Sequence, residues 1–410
     1  MPRRTNHRLL ASRRRFLKGA AAAAGVTAVA GLSAPPILAQ SRAPLRLGIL
    51  NSFNGPISVA AESNVSGMEV YLDRINWTIA GRKVELIKED DQFNPQVGLE
   101  KARKFVQHDH VDMILGPQAS NVALAMINFV KQTKTYLVVS GAGADAITWE
   151  HSPYIFRTSL SGWQLVHPMG EWDYANLSKN AVISVADYVA GHDIAGVFGR
   201  AFKGKGGKIV KEIYTPLTAT DFSPYLTDIR SLDAGVIYCF LPGGSASTRF
   251  VQQYAESGIK ARLTCFGGMV DETTIGAIGK AALGVLSSSI YTDTLDNPEN
   301  KRFVAEYQAK TKQIPNLFSD YGFVVAQVVD ETLKATDGDT SNKDKLAAAM
   351  VKVAFNAPRG PFRFDPETHD PIQNVYILDE QQKGDRIVGN AIATIKDVKA
   401  PATKKAFEEG

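Results

Sequence analysis

Cysteine is nearly absent: Cys239 and Cys265 are the only two among 410 residues. That excludes a disulfide-built scaffold and a cysteine-ligated metal centre. Both lie inside apolar runs, VIYCFL and LTCFGG, and read as buried free thiols. Also missing is any internal apolar run of the ~20 residues that a membrane-spanning helix needs. No Asp or Glu occurs before residue 40, where seven Lys and Arg do, so the formal +4 of the whole chain becomes −3 for the rest. A basic balance that would suggest nucleic acid thus belongs to the N-terminus alone. The remaining basic cluster, Lys203-Gly-Lys-Gly-Gly-Lys208, reads as a solvated turn.

Catalytic signatures are missing too. There is no G-x-S-x-G elbow and no H-E-x-x-H. The seven histidines are scattered; His108 and His110 come closest to a pair but point to different faces of a helix end. The acids Glu89-Asp90-Asp91 end a strand and fit a helix entry or hinge contact as well as catalysis. No metal site and no cofactor is expected.

What is present begins with an export signal. Ser12-Arg13-Arg14-Arg15-Phe16-Leu17-Lys18 precedes an Ala- and Gly-rich run to Leu32 and then Pro35-Pro36-Ile37-Leu38-Ala39-Gln40. A charged region, a short apolar region and a small residue make a secretory signal, with cleavage expected after Ala39. The paired arginines resemble a twin-arginine (Tat) signal, which implies passage through the Tat translocon.

From Leu45 the text alternates strand and helix. Strands are predicted at 45–50, 83–91, 111–116, 135–140, 181–187, 208–214, 234–241 and 261–268; helices at 58–76, 95–109, 120–134 and 247–258, with Ser120 as an N-cap. Alternation of this kind implies α/β architecture with parallel sheets, and 410 residues imply two lobes. Beyond residue 295 come three helices and then strands or hairpins; residues 396–410 read as a frayed tail.

Ligands of open parallel sheets sit beyond the carboxyl ends of the strands. The turns there are Asn51–Pro56, Gly116–Ser120, Ser140–Ala144, Asp187–His192, Leu241–Ser245 and Gly267–Met269. They are small, glycine-rich and run into helix N-termini, which favour anions. Gly141–Ala146 also fits G-x-G-x-x-G/A, the dinucleotide fingerprint. It lacks the following helix, being cut by Pro153, and lacks an acid about 20 residues on. With the other turns it fits a cleft for a small anionic ligand better.

In order and spacing, NSFNGP, EDDQFNPQVGLEKARKFV, VDMILGPQASNVA, YLVVSGAGA, DYVAGHDIAGVF, DAGVIYCFLPGG and RGPFRFDPETHDPIQNVYI resemble the leucine/isoleucine/valine-binding protein family of ABC-transporter solute receptors, over about residues 43–393. The resemblance implies a type I periplasmic binding protein, a Venus flytrap of two Rossmann-like lobes: 43–160 with 292–362, and 161–291 with 363–395. Crossovers are expected near Ser159–Ser161, Ile290–Thr292 and Phe362–Thr368. It implies a periplasmic, non-enzymatic receptor that hands its ligand to an ABC permease in the inner membrane. A sensory receptor of the same fold and a Tat-exported cofactor enzyme are the alternatives.

By the same resemblance, Ser120 meets the ligand carboxylate and Ala142, Gly143 and Ala144 form the backbone turn beside it. The family often has Thr at Ala144. Tyr188, Ala190, Pro242 and Gly268 supply the facing turns. Phe53, Asn54 and Gln118 complete the first lobe's side. Amino-acid-binding members carry an acid at the position of Gly267-Gly268-Met269 to pair the ammonium; here there is none. An unpaired buried ammonium costs several kcal/mol. The expected ligand is therefore an aromatic or branched carboxylate without an amino group, against a wall of Met269, Tyr188, Phe53 and Tyr321. The other reading lets Asp187 or Asp271 make the ammonium contact.

Overall fold

The structure, a computed structural model, describes residues 42–409 apart from Pro56 and Gly243. The predicted signal and its cleavage point lie outside the described residues. Two sheets organise the chain. The first is built from β1 (Leu45–Asn51), β2 (Thr78–Ile79), β3 (Arg82–Asp90), β4 (Met113–Leu115), β5 (Tyr136–Val139) and β6 (Ile155–Arg157), in the order β2-β3-β1-β4-β5-β6. All its pairings are parallel except β2 with β3.

The second sheet takes β7 (Asn180–Ala186), β8 (Lys208–Thr215), β9 (Val236–Phe240), β10 (Arg262–Phe266) and β11 (Leu286–Ser289) as parallel strands. To β11 it adds an antiparallel flank of β12 (Ala354–Ala357), β13 (Gly360–Phe364), β14 (Pro371–Lys383) and β15 (Arg386–Val398). The return into this sheet thus begins by Ala354, ahead of the crossover expected near Phe362.

Parallel strands are buried on both faces, and their sequences show it. Leu47, Ile49, Met113, Leu115, Tyr136 and Val138 enter one apolar cluster; Leu50, Ile114, Leu137 and Val139, pointing the other way, enter a second. The first cluster continues through Phe156, Leu160 and Leu165 to the inner face of the second sheet, where Ile183, Val185 and Tyr238 join it. Cys239 and Cys265 sit opposite each other on β9 and β10, buried and unbonded.

Twelve helices among the described residues cover these sheets. Four matter for the site: α1 (Ser58–Arg74), α2 (Pro95–Lys104), α3 (Ser120–Thr133) and α4 (Gly162–Asn176). Asn94 caps α2 with Pro95 at its first turn, as its sequence predicts. The next are α5 (Val189–Gly204), α6 (Ser223–Arg230), α7 (Gly244–Ser257), α8 (Ile275–Ile278), α9 (Pro298–Thr311) and α10 (Leu317–Ala335). Then come α11 (Lys343–Met350) and α12 (Lys404–Glu409).

Helix α10 crosses α1 so closely that a Cβ at Gly67 would lie 1.8 Å from Ser319 O, and one at Gly322 would lie 1.8 Å from Asn64 O. Only glycine permits that approach.

The crossings between sheets are pinned by two buried arginines. Arg359 pairs with Asp320 of α10 at 2.6 Å and donates to Thr158 O, Ser159 O and Gln373 Oε1. Arg157 pairs with Asp370 at 2.9 Å and donates to Leu160 O and Ala144 O. Buried charges need such partners.

The C-terminal segment is not frayed. Its first residues complete β15, and α12 lays Phe407 against Trp149, ring centroids 5.2 Å apart. Arg200 of α5 covers the same ring and donates to Phe407 O at 2.7 Å. His151 donates from Nε2 to Ala402 O. Strand pairing, one buried ring and two hydrogen bonds to backbone carbonyls dock a tail that composition alone marks as loose.

Candidate functional site

The turns after β4 and β5 are interlocked. Ser120 is the first residue of α3, with Ala119 in the cap position, so the predicted serine cap does not form. Its hydroxyl instead accepts Ala144 N–H at 3.1 Å. Ala142 N–H donates to Pro117 O at 3.1 Å, just after the cis Gly116–Pro117 bond. Gln118 donates to Ala60 O at 2.9 Å, and its chain fills the space that a Cβ at Gly141 would need. Ser120, Gln118 and the 142–144 turn thus form one unit at the start of α3, where partial positive charge collects.

Phe53 and Asn54 are held beside that unit. Asp90 accepts Phe53 N–H and Asn54 Nδ2, while Asp91 accepts the Ser52 hydroxyl. Glu89 pairs with Lys101 and Lys104. Asp90 and Asp91 are therefore loop anchors, and Glu89 ties the end of β3 to α2. Asn54 is exposed and Phe53 half-buried.

The second sheet meets this unit through Gly162. Its N–H donates to Gly143 O at 2.7 Å. A Cβ there would lie 3.4 Å from Gly143 O and Asp145 Oδ2, and 3.9 Å from Ile194 of α5. Ser161 and Gln164 form a reciprocal capping box on α4, and Asp145 Oδ2 accepts Trp163 N–H at 3.1 Å. Burial, opposed by Arg157, pushes the Asp145 carboxyl up to about 6. Asp145 occupies a free position of the Gly141–Ala146 pattern and Trp163 lies in no motif, so the sequence marks neither.

On the second sheet, Tyr188, half-buried, precedes α5 and stacks on Phe240 at the end of β9, centroids 6.2 Å apart. Phe240 meets Phe266 at the end of β10 edge-on, at 5.7 Å. A Cβ at Gly268 would lie 2.5 Å from the Phe266 ring. Ala190 lies in the first turn of α5, and Pro242 is half-buried after β9.

Two members of the expected wall are elsewhere. Met269 is 0% exposed and packs in the outer core of the second sheet, its sulfur accepting Leu241 N–H at 3.2 Å. Tyr321 is 1% exposed, under Arg359 and edge-on to Phe318. Met269 follows a ligand-side turn and Tyr321 lies inside α10, and both side chains are buried. Phe240 and Phe266 end β9 and β10 just before the turns, where a strand pattern gives no sign of a site role.

The acids proposed for an ammonium contact also have settled places. Asp187 is exposed and pairs with His192 at 2.8 Å. Asp271 turns one oxygen to Thr273 N–H and hydroxyl, while its Oδ2 is buried without a partner. Burial pushes Asp271 up to about 6.

Two surface cavities lie away from these turns. One of about 340 Å³ is lined by Arg42, Arg82 and 337–341, near the amino ends of the first sheet. The other, about 570 Å³, involves Asp293, Lys301 and Arg386. No group of three or more His, Cys, Asp or Glu among the described residues is placed to hold a metal.

A periplasmic binding protein family model matches residues 44–385. An ABC transporter substrate-binding protein from Sphaerobacter thermophilus is 33% identical, with TM-score 0.83, covering 87% of this chain and 98% of that one. A solute-binding protein of an ABC transporter from Rhodopseudomonas palustris BisB5, in complex with 3,4-dihydroxybenzoic acid, is 30% identical with TM-score 0.82, over 88% and 99% of the two chains. Leu/Ile/Val-binding protein homolog 6 of Brucella melitensis is 28% identical over 347 residues, 83% of this chain and 88% of its own. With two sheets, interlocked turns at their facing ends and a match that spans most of its length, the chain belongs to the periplasmic binding protein family and is an ABC-transporter substrate-binding protein of the branched-chain amino acid type.

Proposed function

We propose that this receptor captures an aromatic monocarboxylate between its two sheets and delivers it to a permease in the inner membrane. The observation that carries the reading is the unit of Ser120 and the 142–144 turn, a polar N-terminal helix end suited to a carboxylate. The ligand of the Rhodopseudomonas relative supports an aromatic acid. So does the ring series Tyr188, Phe240 and Phe266 at the carboxyl ends of strands in the second sheet. The binding set on this reading is Phe53, Asn54, Gln118, Ser120, Ala142, Gly143, Tyr188, Ala190, Pro242 and Gly268. The two lobes divide near Ser159–Ser161 and Ile290–Thr292. Closure requires only that the ligand prefer the closed state. The chain acts without catalysis. It reaches the periplasm through the Tat translocon and loses its signal near Ala39.

The buried, unpartnered Oδ2 of Asp271 favours a second reading, an amino acid whose ammonium meets that oxygen. A thermal-shift panel decides. Benzoate, 4-hydroxybenzoate, leucine and phenylalanine are each added to the mature protein. A ligand at one hundred times its dissociation constant adds about 2.7 kcal/mol. Stabilisation by the benzoates alone supports the first reading, and stabilisation by the amino acids alone overturns it.

A further inference from the structure

After β11 the chain leaves the second sheet and reaches α9 through residues 290–297. Helix α9 stands on the first sheet's side, since its Glu306 pairs with Arg74 of α1 at 2.6 Å. The segment is therefore a link between the sheets. Asn300 of α9 holds one side of it, donating to Asp293 O and Leu295 O, each at 2.9 Å. Strand β15 holds the other. The Thr292 and Thr294 hydroxyls both donate to Gly389 O, at 3.0 and 2.8 Å. Glu380 of β14 is paired opposite Gly389, and a Cβ there would lie 3.3 Å from Glu380 Oε1. The glycine makes room for a carboxyl beside the joint.

Four carboxyls gather here. Glu380 is 2% exposed, and the Asp293 side chain 6%. Asp271 and Glu272 come from the turn after β10; burial, then the charges of Asp293, Asp271 and Glu380, push Glu272 up. Among the described residues one guanidinium serves the group: Arg386 lies 2.8 Å from Asp293 and 3.7 Å from Glu272. Asp271 Oδ2, Asp293 Oδ1 and Glu380 Oε2 are buried without a partner, as are the neutral hydroxyls of Ser287 and Tyr291 nearby. The outer charges are Asp379, paired with Arg262, and Lys301, paired with Asp296. Lys383 lines the cavity of about 570 Å³ next to Arg386. Buried carboxylates in excess of their cations neutralise by keeping a proton. A metal would need three ligands placed together, and no such group exists among the described residues.

We infer that a proton shared among these carboxyls, held chiefly by the deeply buried Glu380, locks the 290–297 link onto the second sheet, and that its release frees the link. When the carboxyl O–H bond breaks, the proton passes to water at the cavity, leaving carboxylates that crowd one guanidinium. Their repulsion bears on Asp293, and so on the link. Burial first, then Asp271, Asp379 and Asp293, push Glu380 up to about 8 from its ordinary 4.5. The lock is thus complete below the lower value and lost as pH rises through the upper one. It sets how freely the sheets move apart, and it does not rest on which ligand lies between them.

The test is hydrogen exchange of the mature, ligand-free protein, with short labelling far below its Tm, where exchange reports local opening. Rates are corrected for the intrinsic effect of pH. Between pH 6 and 8, residues 290–297 of wild type should lose at least about tenfold more protection than α3, since one proton gives up to tenfold per pH unit. Glu380→Gln, neutral throughout, should keep the two segments within about twofold. Asp271→Asn removes a like charge, so Glu380 releases its proton at lower pH and the loss should be smaller than in wild type. Difference infrared spectra should show a protonated carboxyl that disappears by pH 9 and is missing in Glu380→Gln. The same pH dependence in Glu380→Gln as in wild type, the lack of that carboxyl, or a loss shared equally by α3 would each overturn the proposal.

Discussion

The carboxylate of Asp145, from the turn that follows β5, accepts the backbone N–H of Trp163, the second residue of α4. A side chain from the first sheet's end thereby supports the first helix of the second sheet, at the first crossing between them. A carboxylate at a helix N-terminus is stabilising by dipole and hydrogen bond together. Asp145→Ala should lower stability in urea unfolding by about 1–2 kcal/mol, and Asp145→Asn, which keeps an acceptor, by less than half of that. An Ala variant as stable as wild type would remove the capping role.

Met269 tests where the cleft ends. Its side chain is core, so Met269→Leu should bind ligand like wild type and lose under about 1.5 kcal/mol. Met269→Glu should fold poorly, because a carboxylate would enter an apolar cluster. A soluble, stable Glu variant with selectively weakened ligand binding would return Met269 to the cleft.

Stability should fall as pH rises through the neutral range. Glu380 on β14 is buried beside Asp271, Asp379 and Asp293, and burial first, then these charges, push it up to about 8. Arg386 is engaged by Asp293 at 2.8 Å. Between its ordinary 4.5 and about 8 the folded chain keeps a proton that the unfolded chain has released. The stabilisation is complete below the lower value and lost through the upper one. Glu380→Gln should reduce the decline of Tm between pH 6 and 9 by roughly 2–5 °C. An unchanged slope would point to another group.

The docked C-terminus makes a further prediction. Phe407→Ala removes a ring held between Trp149 and Arg200. At about 3 kcal/mol for a buried phenylalanine, Tm should fall by roughly 3–6 °C. Hydrogen exchange around His151 should quicken in the same variant. Neither change is expected of a loose tail, so differential scanning fluorimetry and exchange together decide.

How much of this was legible before any coordinates depended on chemistry. Long apolar runs such as TYLVVS and AVISVAD announced β5 and β7 because parallel strands bury both faces. β11 was silent: its sequence is LSSS, buried throughout, with no apolar pattern to find. The association of Ser120 with the 142–144 turn was legible only through the family resemblance, and the structure gives its physical basis, since the two turns follow strands that neighbour in the sheet. Asp145 was not, since its partner Trp163 belongs to the other sheet and the contact has no spacing rule. Phe240 and Phe266 read as strand residues, and nothing in a strand pattern says that a ring at its last position stacks sideways.

The close crossing of α1 and α10 has a consequence for synthesis. Asn64 and Phe318, joined side chain to carbonyl across this contact, are 254 residues apart in the chain. At about 5–20 residues per second the ribosome needs roughly 10–50 s to deliver the second helix after the first. Through that interval α1 presents Gly67 and its apolar neighbours to whatever is near, and the first sheet stays bare on one side. The contact between α1 and α10 therefore closes only after most of the chain has been made, and the native state is reached only when synthesis is nearly over.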